Sequence, residues 1–341
     1  MSTVTKPSRK VAPRIAPPTR EQRRLESHPE QERGHSLNTE GNPTTHKIIM
    51  TVAVIAPILG LIAGIVLMWQ WGFMGWLYVA MLLGGWAITG IGITVGFHRL
   101  LSHRAFDTYP LVRAMWMAAG SLAVQGSPLV WCAIHRRHHE VSDHEGDPHS
   151  PHLNGEGTWN RIKGFIFAHC GWLFTGFWTH PELARYVPDL LKDKPLMWVD
   201  RTYFIWVAMS LVVPTLIGGI VTQTWQGLLL GFIWGGLVRV LVAHHITWSI
   251  NSICHLFGPQ EYDSGDNSRN NPIFGVLAWG EGWHNTHHAF PTSARMGLKW
   301  WQIDVSWYII WTMEKLGLAW NVKRIPEAIL AKKRLPLKGA V

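Results

Sequence analysis

Residues 73–97 read FMGWLYVAMLLGGWAITGIGITVGF and contain no charged side chain. A bilayer core about 30 Å thick takes roughly 20 helical residues, so this stretch predicts a membrane-crossing helix. The segment HRLLSH, residues 98–103, follows at once. Two histidines are therefore expected where the apolar helix reaches the edge of the membrane.

Three further apolar runs are long enough to cross a bilayer. They are residues 48–69, 203–221 and 225–243, and the last contains one arginine, Arg239, near its end. Short connections without Lys or Arg join the first run to residues 73–97 and the third run to the fourth. The four runs predict two transmembrane hairpins.

Positive charge lies outside these hairpins. The chain has 31 Lys and Arg against 22 Asp and Glu, a formal net charge of +9. The positive-inside rule then predicts that both termini and the long middle loop are cytoplasmic. Anionic lipid beside a basic face explains the charge, so no nucleic-acid partner is needed. Residues 1–47 are basic and have no apolar core, which predicts a disordered arm and no signal peptide. Residues 48–325 form the membrane domain, and residues 326–341 a basic tail.

Residues 111–134 are also apolar and long enough to cross a membrane. A single crossing would place HRLLSH and the following HRRHH, residues 135–139, on opposite faces. Gly, Ser and Pro at 126–128 interrupt the run. Two shorter helices at the interface, or dipping into it, are therefore predicted, since irregular backbone at that depth must pack against protein. Every histidine group then lies on the cytoplasmic side.

The histidine spacing predicts shared helix faces. HRRHH at 135–139 and HNTHH at 284–288 both read HxxHH, and residues three and four apart lie on one side of a helix. NSICH, residues 251–255, places an asparagine and a histidine four apart. His98 and His103 are five apart, which fits a regular helix poorly, so the helix is expected to loosen or stop there.

These segments predict a metal centre, because neutral imidazole is the commonest biological metal ligand. The candidate ligands are His98, His103, His135, His138, His139, Asn251, His255, His284, His287 and His288. Nine imidazoles are too many for one zinc, which takes three or four protein ligands. Two metals would receive four or five each, and open imidazole-rich sites suit iron better than magnesium or calcium.

Other polar residues near the motifs receive supporting or structural roles. A ligating imidazole usually donates its second N–H to a carboxylate. The candidate partners are Glu140, Asp143, Asp147 and Glu281. Four histidines are predicted to be structural: His169, His180, His244 and His245. The isolated cysteines, Cys132, Cys170 and Cys254, are predicted to be packing residues in a reducing compartment.

The segments GFHRLLSHRAF, HRRHHEVSDHEGDPHSP, NSICHLFG and GEGWHNTHHAFP together resemble the membrane fatty acid desaturase family. The resemblance covers about residues 48–325 and is specific to the Δ9, stearoyl-CoA desaturase-like branch that acts on acyl-CoA or acyl-lipid. We call HRLLSH, HRRHH and HNTHH the first, second and third histidine boxes, and Ile134 directly before the second box indicates a bacterial type. The resemblance implies an enzyme of unsaturated fatty acid biosynthesis that uses two irons, O2 and two electrons to insert a cis double bond into a saturated acyl chain.

The resemblance also implies individual roles. One iron would be held by His98, His103, His139 and His288. The other would be held by His135, His138, His255, His284 and His287, with Asn251 acting through a water. The bend of the acyl tunnel would be lined by Gln125, Trp131, Thr247 and Trp248. Helical spacing independently places Trp131 and Trp248 on the metal-facing sides of their helices.

The chain has no CxxCH and no four-cysteine pattern, so electrons are expected from a separate donor of the ferredoxin or cytochrome b5 type with its reductase. Four arginines are candidates to anchor a phosphate-bearing carrier or to dock the donor, or they merely supply cytoplasmic charge: Arg99, Arg104, Arg136 and Arg137. The acyl carrier is open among CoA, carrier protein and membrane lipid.

The predicted fold is an all-α, multi-pass protein of the bacterial inner membrane. It has four transmembrane helices in two hairpins and a cytoplasmic helical cap that carries a histidine-rich di-metal site. A di-iron fatty acid hydroxylase is an alternative with the same histidine boxes. A membrane metal transporter or sensor is an alternative of another class, and it predicts ligands deep within the spans.

Overall fold

The computed structural model describes residues 43–73, 75–175 and 181–336. Over these ranges the regular structure is helical, apart from one two-stranded sheet and two isolated β-bridges, and irregular segments connect the helices. Most of the predicted N-terminal arm, the end of the basic tail and His180 lie outside the described residues. Four helices are long and apolar enough to cross a membrane: Thr44–Trp71, Trp76–Ser102, Tyr203–Thr222 and Trp225–Leu256. They confirm the four predicted runs, and the second and fourth extend farther towards the histidines.

The regular elements follow one another in this order: α1 Pro43–Trp71, α2 Trp76–Ile91 continuing as a π-helix Gly92–Ser102, β1 Asp107–Thr108, α3 Pro110–Ser121, α4 Pro128–Val141, α5 Thr158–His169, 3-10 turns at Gly171–Phe174, Pro181–Tyr186 and Leu190–Lys192, α6 Lys194–Arg201, α7 Tyr203–Thr222, α8 Trp225–Leu230 continuing as a π-helix Gly231–Val238 and then as α9 Arg239–Leu256, α10 Pro272–Leu277, α11 His284–Ala289, α12 Val305–Lys315, β2 Ala319–Trp320 and α13 Glu327–Lys333. The two strands pair antiparallel.

The fourth long helix, Trp225–Leu256, is central. Two thirds of its apolar window (67%) is buried, against 11–33% in the other three. The preceding helix, α7, packs against the fourth helix at Gly218. A Cβ atom on Gly218 would lie only 2.1 Å from the Gly227 carbonyl oxygen, so only glycine fits there. Small residues of this kind let the backbones of membrane helices pack closely.

The first long helix, α1, also packs mainly against the fourth and not against α2, its neighbour in sequence. Gly60 and Gly64 explain this choice, because their missing side chains leave room for Leu237 and Trp234 of the fourth helix. The first predicted hairpin is therefore not a packed pair of helices.

Residues 110–141 form two short helices, α3 and α4, as predicted. α3 runs antiparallel to the π-helical end of the second long helix: a Cβ on Gly96 would meet the Trp116 carbonyl at 2.9 Å, and one on Gly92 would meet the Gly120 nitrogen at 2.4 Å. The chain descends beside that helix, turns at residues 122–127 and returns along α4.

Side chains from the third and fourth long helices hold this turn. The carbonyl of Leu122 accepts hydrogen bonds from Ser210 Oγ (2.6 Å) and Arg239 Nη1 (2.9 Å). The Val124 carbonyl lies 2.9 Å from His244 Nε2, which confirms the structural role predicted for His244. Buried carbonyl groups of irregular backbone require hydrogen-bond donors, and Arg239 supplies one from a buried position.

The main apolar core lies between the π-helical segment Gly92–Ser102, α3, α4, α6 and α12. Its fully buried side chains include Phe97, Met117, Leu129, Leu196 and Ile310, one from each of these elements. Close packing of this kind leaves little freedom to the elements involved. The histidines at 98–103 and 135–139 therefore project from fixed supports.

Candidate metal centre

A change of helix type brings His98 and His103 together. Both belong to, or border, the π-helix Gly92–Ser102, and the His103 amide donates to the His98 carbonyl five residues earlier over 3.1 Å. Residues five apart share a face in this wider helix, and the two imidazole centres are 4.9 Å apart. The helix widens before His98 and ends at Ser102, with His103 as its cap, as the five-residue spacing predicted.

All nine predicted histidines converge. They form two groups in which the ligand nitrogens lie within 4.8 Å of one another. The first group contains His98, His103, His135, His139 and His287. The second group contains His138, His255, His284 and His288. Each group has the size and composition to hold a metal ion.

Each of the two HxxHH helices contributes histidines to both groups, and the group that receives two from one helix receives one from the other. α4 gives its i, i+4 pair, His135 and His139, to the first group and His138 to the second, whereas α11 gives His284 and His288 to the second and His287 to the first. Residues four apart differ by about 40° around a helix, and a residue three along lies about 60° to the other side. Each helix therefore divides its own motif.

This arrangement corrects the division implied by the family resemblance. His288 was expected with His98, and His135 and His287 with His255. The structure places His288 in the second group and both other residues in the first. The divergence of i+3 from i+4, seen in two helices that face each other, accounts for all three changes.

The donor set fits metal ions. Nε2 atoms face one another across each group: His98 and His287 at 3.0 Å in the first, His255 and His284 at 3.1 Å in the second. Two buried Nε2 atoms of the second group, those of His138 and His288, have no hydrogen-bond partner in the described part of the chain. An unsatisfied buried polar atom costs roughly 1–3 kcal/mol, a cost that metal coordination removes.

Carboxylates orient four of the imidazoles through Nδ1. The pairs are His98 with Glu281, His138 with Asp147 (2.9 Å), His255 with Asp143 (3.0 Å) and His288 with Asp266. A carboxylate at Nδ1 fixes the tautomer that leaves the Nε2 lone pair free for a metal.

The predicted partners Asp143, Asp147 and Glu281 are thus confirmed in contact with imidazoles, and Glu140 is not. Glu140 is exposed and accepts a hydrogen bond from the Tyr186 hydroxyl at 2.7 Å, because it lies one residue past the face that carries the histidines. Asp266 was missed, since it comes from a loop 22 residues before its partner in sequence and no fixed spacing announces it.

The environment keeps most of these rings neutral. Burial, reinforced by neighbouring imidazoles, lowers the pKa well below its usual range for His103, His135, His139, His284 and His287. Burial also lowers the pKa of His288 to about 4. His138 is the exception: burial lowers its pKa, but Asp147 outweighs this and the net shift is upward. Neutral imidazole is the form that binds metals.

His149 is a tenth histidine at the centre and was not predicted. It is buried, its ring centre lies 4.3 Å from that of His138, and it forms a third possible ligand group with His138 and Asp147. Its position in DPHSP, outside the HxxHH motifs, gave no periodic signal.

A largely apolar cavity between the second and fourth long helices ends at the histidines. From the second helix it is lined by Trp86, Gly90, Ile93, Thr94 and His98, and from the fourth by Ala243, Ile246, Thr247, Ile250 and Asn251. These positions repeat every three or four residues, so each helix presents one face. Asn251 reaches the same space as His135, His138 and His284.

Two of the four predicted tunnel residues, Trp131 and Thr247, line this cavity, and Gln125 reaches it only through a hydrogen bond to Thr247. Trp131 lines it and stacks on His135, with ring centres 5.1 Å apart. Thr247 lines it, and its hydroxyl accepts a hydrogen bond of 2.9 Å from Gln125 Nε2.

The fourth predicted tunnel residue, Trp248, lies beside this cavity and not on its wall. It is buried, but it is absent from the described residues that line the cavity. Its ring packs against His169, His244 and His245, because one residue beyond Thr247 is a turn of about 100° around the helix. His169 bonds His245 Nδ1 at 2.9 Å, as expected for structural histidines.

Arg99 and Arg136, which were predicted as candidates to anchor a substrate carrier or to dock a donor, are directed into the protein. Arg99 is fully buried between Glu281 and Asp304, so it offers no anchor for a substrate or donor. Arg136 pairs with Asp189 and with the Ser102 carbonyl, and Arg104 also pairs with Asp189. These arginines chiefly stabilise the packing of the segments that carry the histidines.

Comparison with known proteins identifies this arrangement. The family model for fatty acid desaturase matches residues 74–323. The chain belongs to the fatty acid desaturase family. It is 41% identical over 298 residues to the hex-5-enoyl-[acyl-carrier protein] acetylenase of Moorena producens, covering 87% of this chain and 91% of that protein.

Two further relatives show the range of the family. The sn-1 stearoyl-lipid 9-desaturase of Anabaena variabilis is 39% identical over 255 residues, which is 74% of this chain and 85% of that protein. An acyl-CoA 5-desaturase of Anemone leveillei is 38% identical over 259 residues, 75% and 74% of the two chains. The desaturase described here is therefore an oxidoreductase that acts on fatty acyl chains, which argues against the alternative of a metal transporter or sensor.

Proposed function

We propose that this desaturase inserts a cis double bond at the Δ9 position of a saturated fatty acyl chain. The convergence of nine imidazoles, in two groups, at one end of an apolar cavity carries the proposal. The position is supported by relatives named sn-1 stearoyl-lipid 9-desaturase, at 39% and 38% identity.

Two irons are proposed as the cofactor, one in each histidine group, since imidazole-rich open sites suit this metal. When bound, they would supply the O2 chemistry needed to break an unactivated C–H bond, which side chains alone cannot do. Asn251 is proposed as a further ligand of the second group through a water, because it shares the cavity wall with His138 and His284.

The protein itself positions the acyl chain and excludes water. The cavity wall places Trp131 and Thr247 beside His135 and Asn251, so a chain lying along it presents one methylene to the histidines. Fixing that geometry supplies much of the rate and all of the regiochemistry. The apolar lining excludes water that would intercept a reactive oxidant.

We place the four long helices across the bacterial inner membrane, with both termini and the histidine-bearing helices forming a cytoplasmic cap. The surplus of 31 Lys and Arg over 22 Asp and Glu, concentrated outside the apolar runs, supports this orientation. Electrons would come from a separate donor of the ferredoxin or cytochrome b5 type with its reductase.

Fatty acid methyl ester analysis in a desaturase-deficient host tests the reaction. Cells would express the parent chain, His287→Ala or Glu140→Gln, with double bonds located by mass spectrometry. We expect new cis Δ9 monoenes from the parent and from Glu140→Gln, whose carboxylate lies outside the metal groups, and none from His287→Ala.

Other outcomes would change the assignment. Monoenes at another position would refute Δ9 selectivity, and hydroxylated chains would favour the hydroxylase alternative. Absence of any product from iron-loaded protein supplied with a reducing system in vitro would refute the desaturase reaction.

A second candidate reaction, conversion of an alkene to an alkyne, is favoured by one observation. The relative named as an acetylenase matches 87% of this chain. Feeding the same host monounsaturated chains tests this candidate. Products that lack two further hydrogens and carry a triple bond would support it, and unchanged alkenes would exclude it.

A further inference from the structure

Beyond the four long helices, a second apolar surface is exposed. It consists of Trp300, Trp301, Tyr308, Trp311 and Leu316, which we call the aromatic surface. Trp300 is 92% exposed and Leu316 69%. Soluble proteins rarely leave a contiguous set of large apolar side chains in water, so such a surface marks a contact with a partner or a membrane.

Helix α12, which carries Tyr308 and Trp311 of this surface, has two distinct faces. Ser306, Ile310 and Met313 are buried in the core, whereas Tyr308 and Trp311 point away from it. At 1.5 Å per residue its 11 residues extend about 16 Å, too short to cross a core of about 30 Å. The helix can lie at a membrane interface but cannot span the membrane.

The depth of α12 is fixed by contacts with the second long helix. Ser306 Oγ lies 2.6 Å from Thr94 Oγ1, and Asp304 forms an ion pair of 2.9 Å with Arg99. Thr94 and Arg99 belong to the last turns of Trp76–Ser102, where that helix leaves its apolar stretch. The aromatic surface is therefore held at the level where a crossing helix meets the headgroups.

The chemistry of the surface matches that level. Tryptophan and tyrosine concentrate at membrane interfaces, and lysines there extend their ammonium groups towards water and phosphate. Lys299 Nζ lies 5.5 Å from the centre of the Trp301 ring, and Lys315 Nζ lies 5.8 Å from that of Trp311. A lysine thus lies beside two of the rings of the surface, and the Lys299 ammonium also pairs with Glu261 at 2.7 Å.

We infer that the aromatic surface inserts into the lipid interface of the same bilayer that the four long helices cross, with Lys299 and Lys315 at the headgroups. α12 then lies in the interface as an anchor additional to the spanning helices. The core-facing side of the same helix, through Ser306, is bonded to the histidine-bearing helix, so the anchor sets the height of the metal centre above the lipid.

Site-directed spin labelling of the full chain in phospholipid nanodiscs tests this inference. Labels would be placed with Trp300→Cys, Tyr308→Cys or Trp311→Cys in a Cys170→Ala background, since Cys132 and Cys254 are buried. The control is Glu145→Cys, an exposed residue in the loop after the second box. Accessibility is measured to O2, which enters lipid, and to a water-soluble nickel chelate.

We expect O2 to relax the labels at 300, 308 and 311 more strongly than nickel does, and the reverse at 145. Nickel accessibility at the three positions equal to that at 145 would overturn the inference. Protection from both reagents together with spin–spin broadening would also overturn it, because a second copy of the chain would then cover the surface. The measurement needs no turnover, so it is independent of the reaction proposed above.

Discussion

The two histidine groups differ in how they are supported. In the second group three of four imidazoles pair with carboxylates, namely Asp147, Asp143 and Asp266. In the first group one of five does so, and its partner Glu281 also pairs with the buried cation of Arg99. Carboxylates orient ligating imidazoles and raise their basicity, so the second group should bind its metal more tightly. Two sites with the same ligand type are thereby made unequal.

Removal of one ligand from each group should have the largest effect. His284→Ala and His287→Ala should both abolish product, a loss beyond the roughly 10–100-fold expected for an outer partner. Metal content should separate them, because His287→Ala leaves every ligand of the better supported group in place. Iron per chain and methyl ester analysis measure both effects. Equal iron loss in the two variants would contradict the predicted inequality.

Loss of an outer carboxylate should have a smaller effect. Asp147→Asn keeps the size of the side chain but removes the charge beside His138, and it should lower metal affinity or activity by about 10–100-fold. Glu140→Gln is the matched control, since Glu140 bonds Tyr186 and no imidazole in the described structure. Titration with iron measures the affinity. Equal behaviour of the two variants would show that Asp147 does not support the site.

Removal of metal by a chelator should show the same difference in affinity between the two groups in the parent protein. We expect two phases of metal release, with the fast phase from the first group. Asp266→Asn removes the charge that His288 faces and should bring the two phases closer together. Iron release into a chromogenic chelator measures the rates, and a single phase in the parent would refute the difference between the groups.

The smallest expected effect is that of pH on the metal-free chain. Imidazoles whose folded pKa is lowered, such as His288 at about 4, take up protons near pH 6.5 only when unfolded. Their contribution makes unfolding easier as pH falls from about 6.5 towards 4. His138, with its raised pKa, opposes this trend, because its stabilising contribution is present below pH 6.5 and is lost as pH rises through its folded value.

Thermal melting of the metal-free chain in detergent between about pH 7 and 5 measures this balance. The lowered imidazoles outnumber His138, so the midpoint should fall with pH. Asp147→Asn, which removes the cause of the raised pKa, should steepen the fall. A midpoint that rises on acidification would contradict the assigned shifts.

The long helices and the histidines that converge were predictable, because each prediction rests on a local property. Apolar length decides a membrane helix, and the HxxHH spacing decides a shared helix face. The division of His135, His287 and His288 between groups was not predictable. The third and fourth residues after a histidine differ in direction by about 100° around the helix, and which group each one reaches depends on how the two helices face each other. Asp266, His149 and the inward Arg99 depend likewise on contacts between distant segments.

The turn between α3 and α4 has a consequence for the order of assembly. Its Leu122 carbonyl is held by Ser210 and Arg239, which lie 88 and 117 residues later in the chain. During synthesis the second histidine box emerges long before these partners exist. The turn therefore acquires its full set of hydrogen-bond donors only after Arg239 has been synthesised, late in the assembly of the chain.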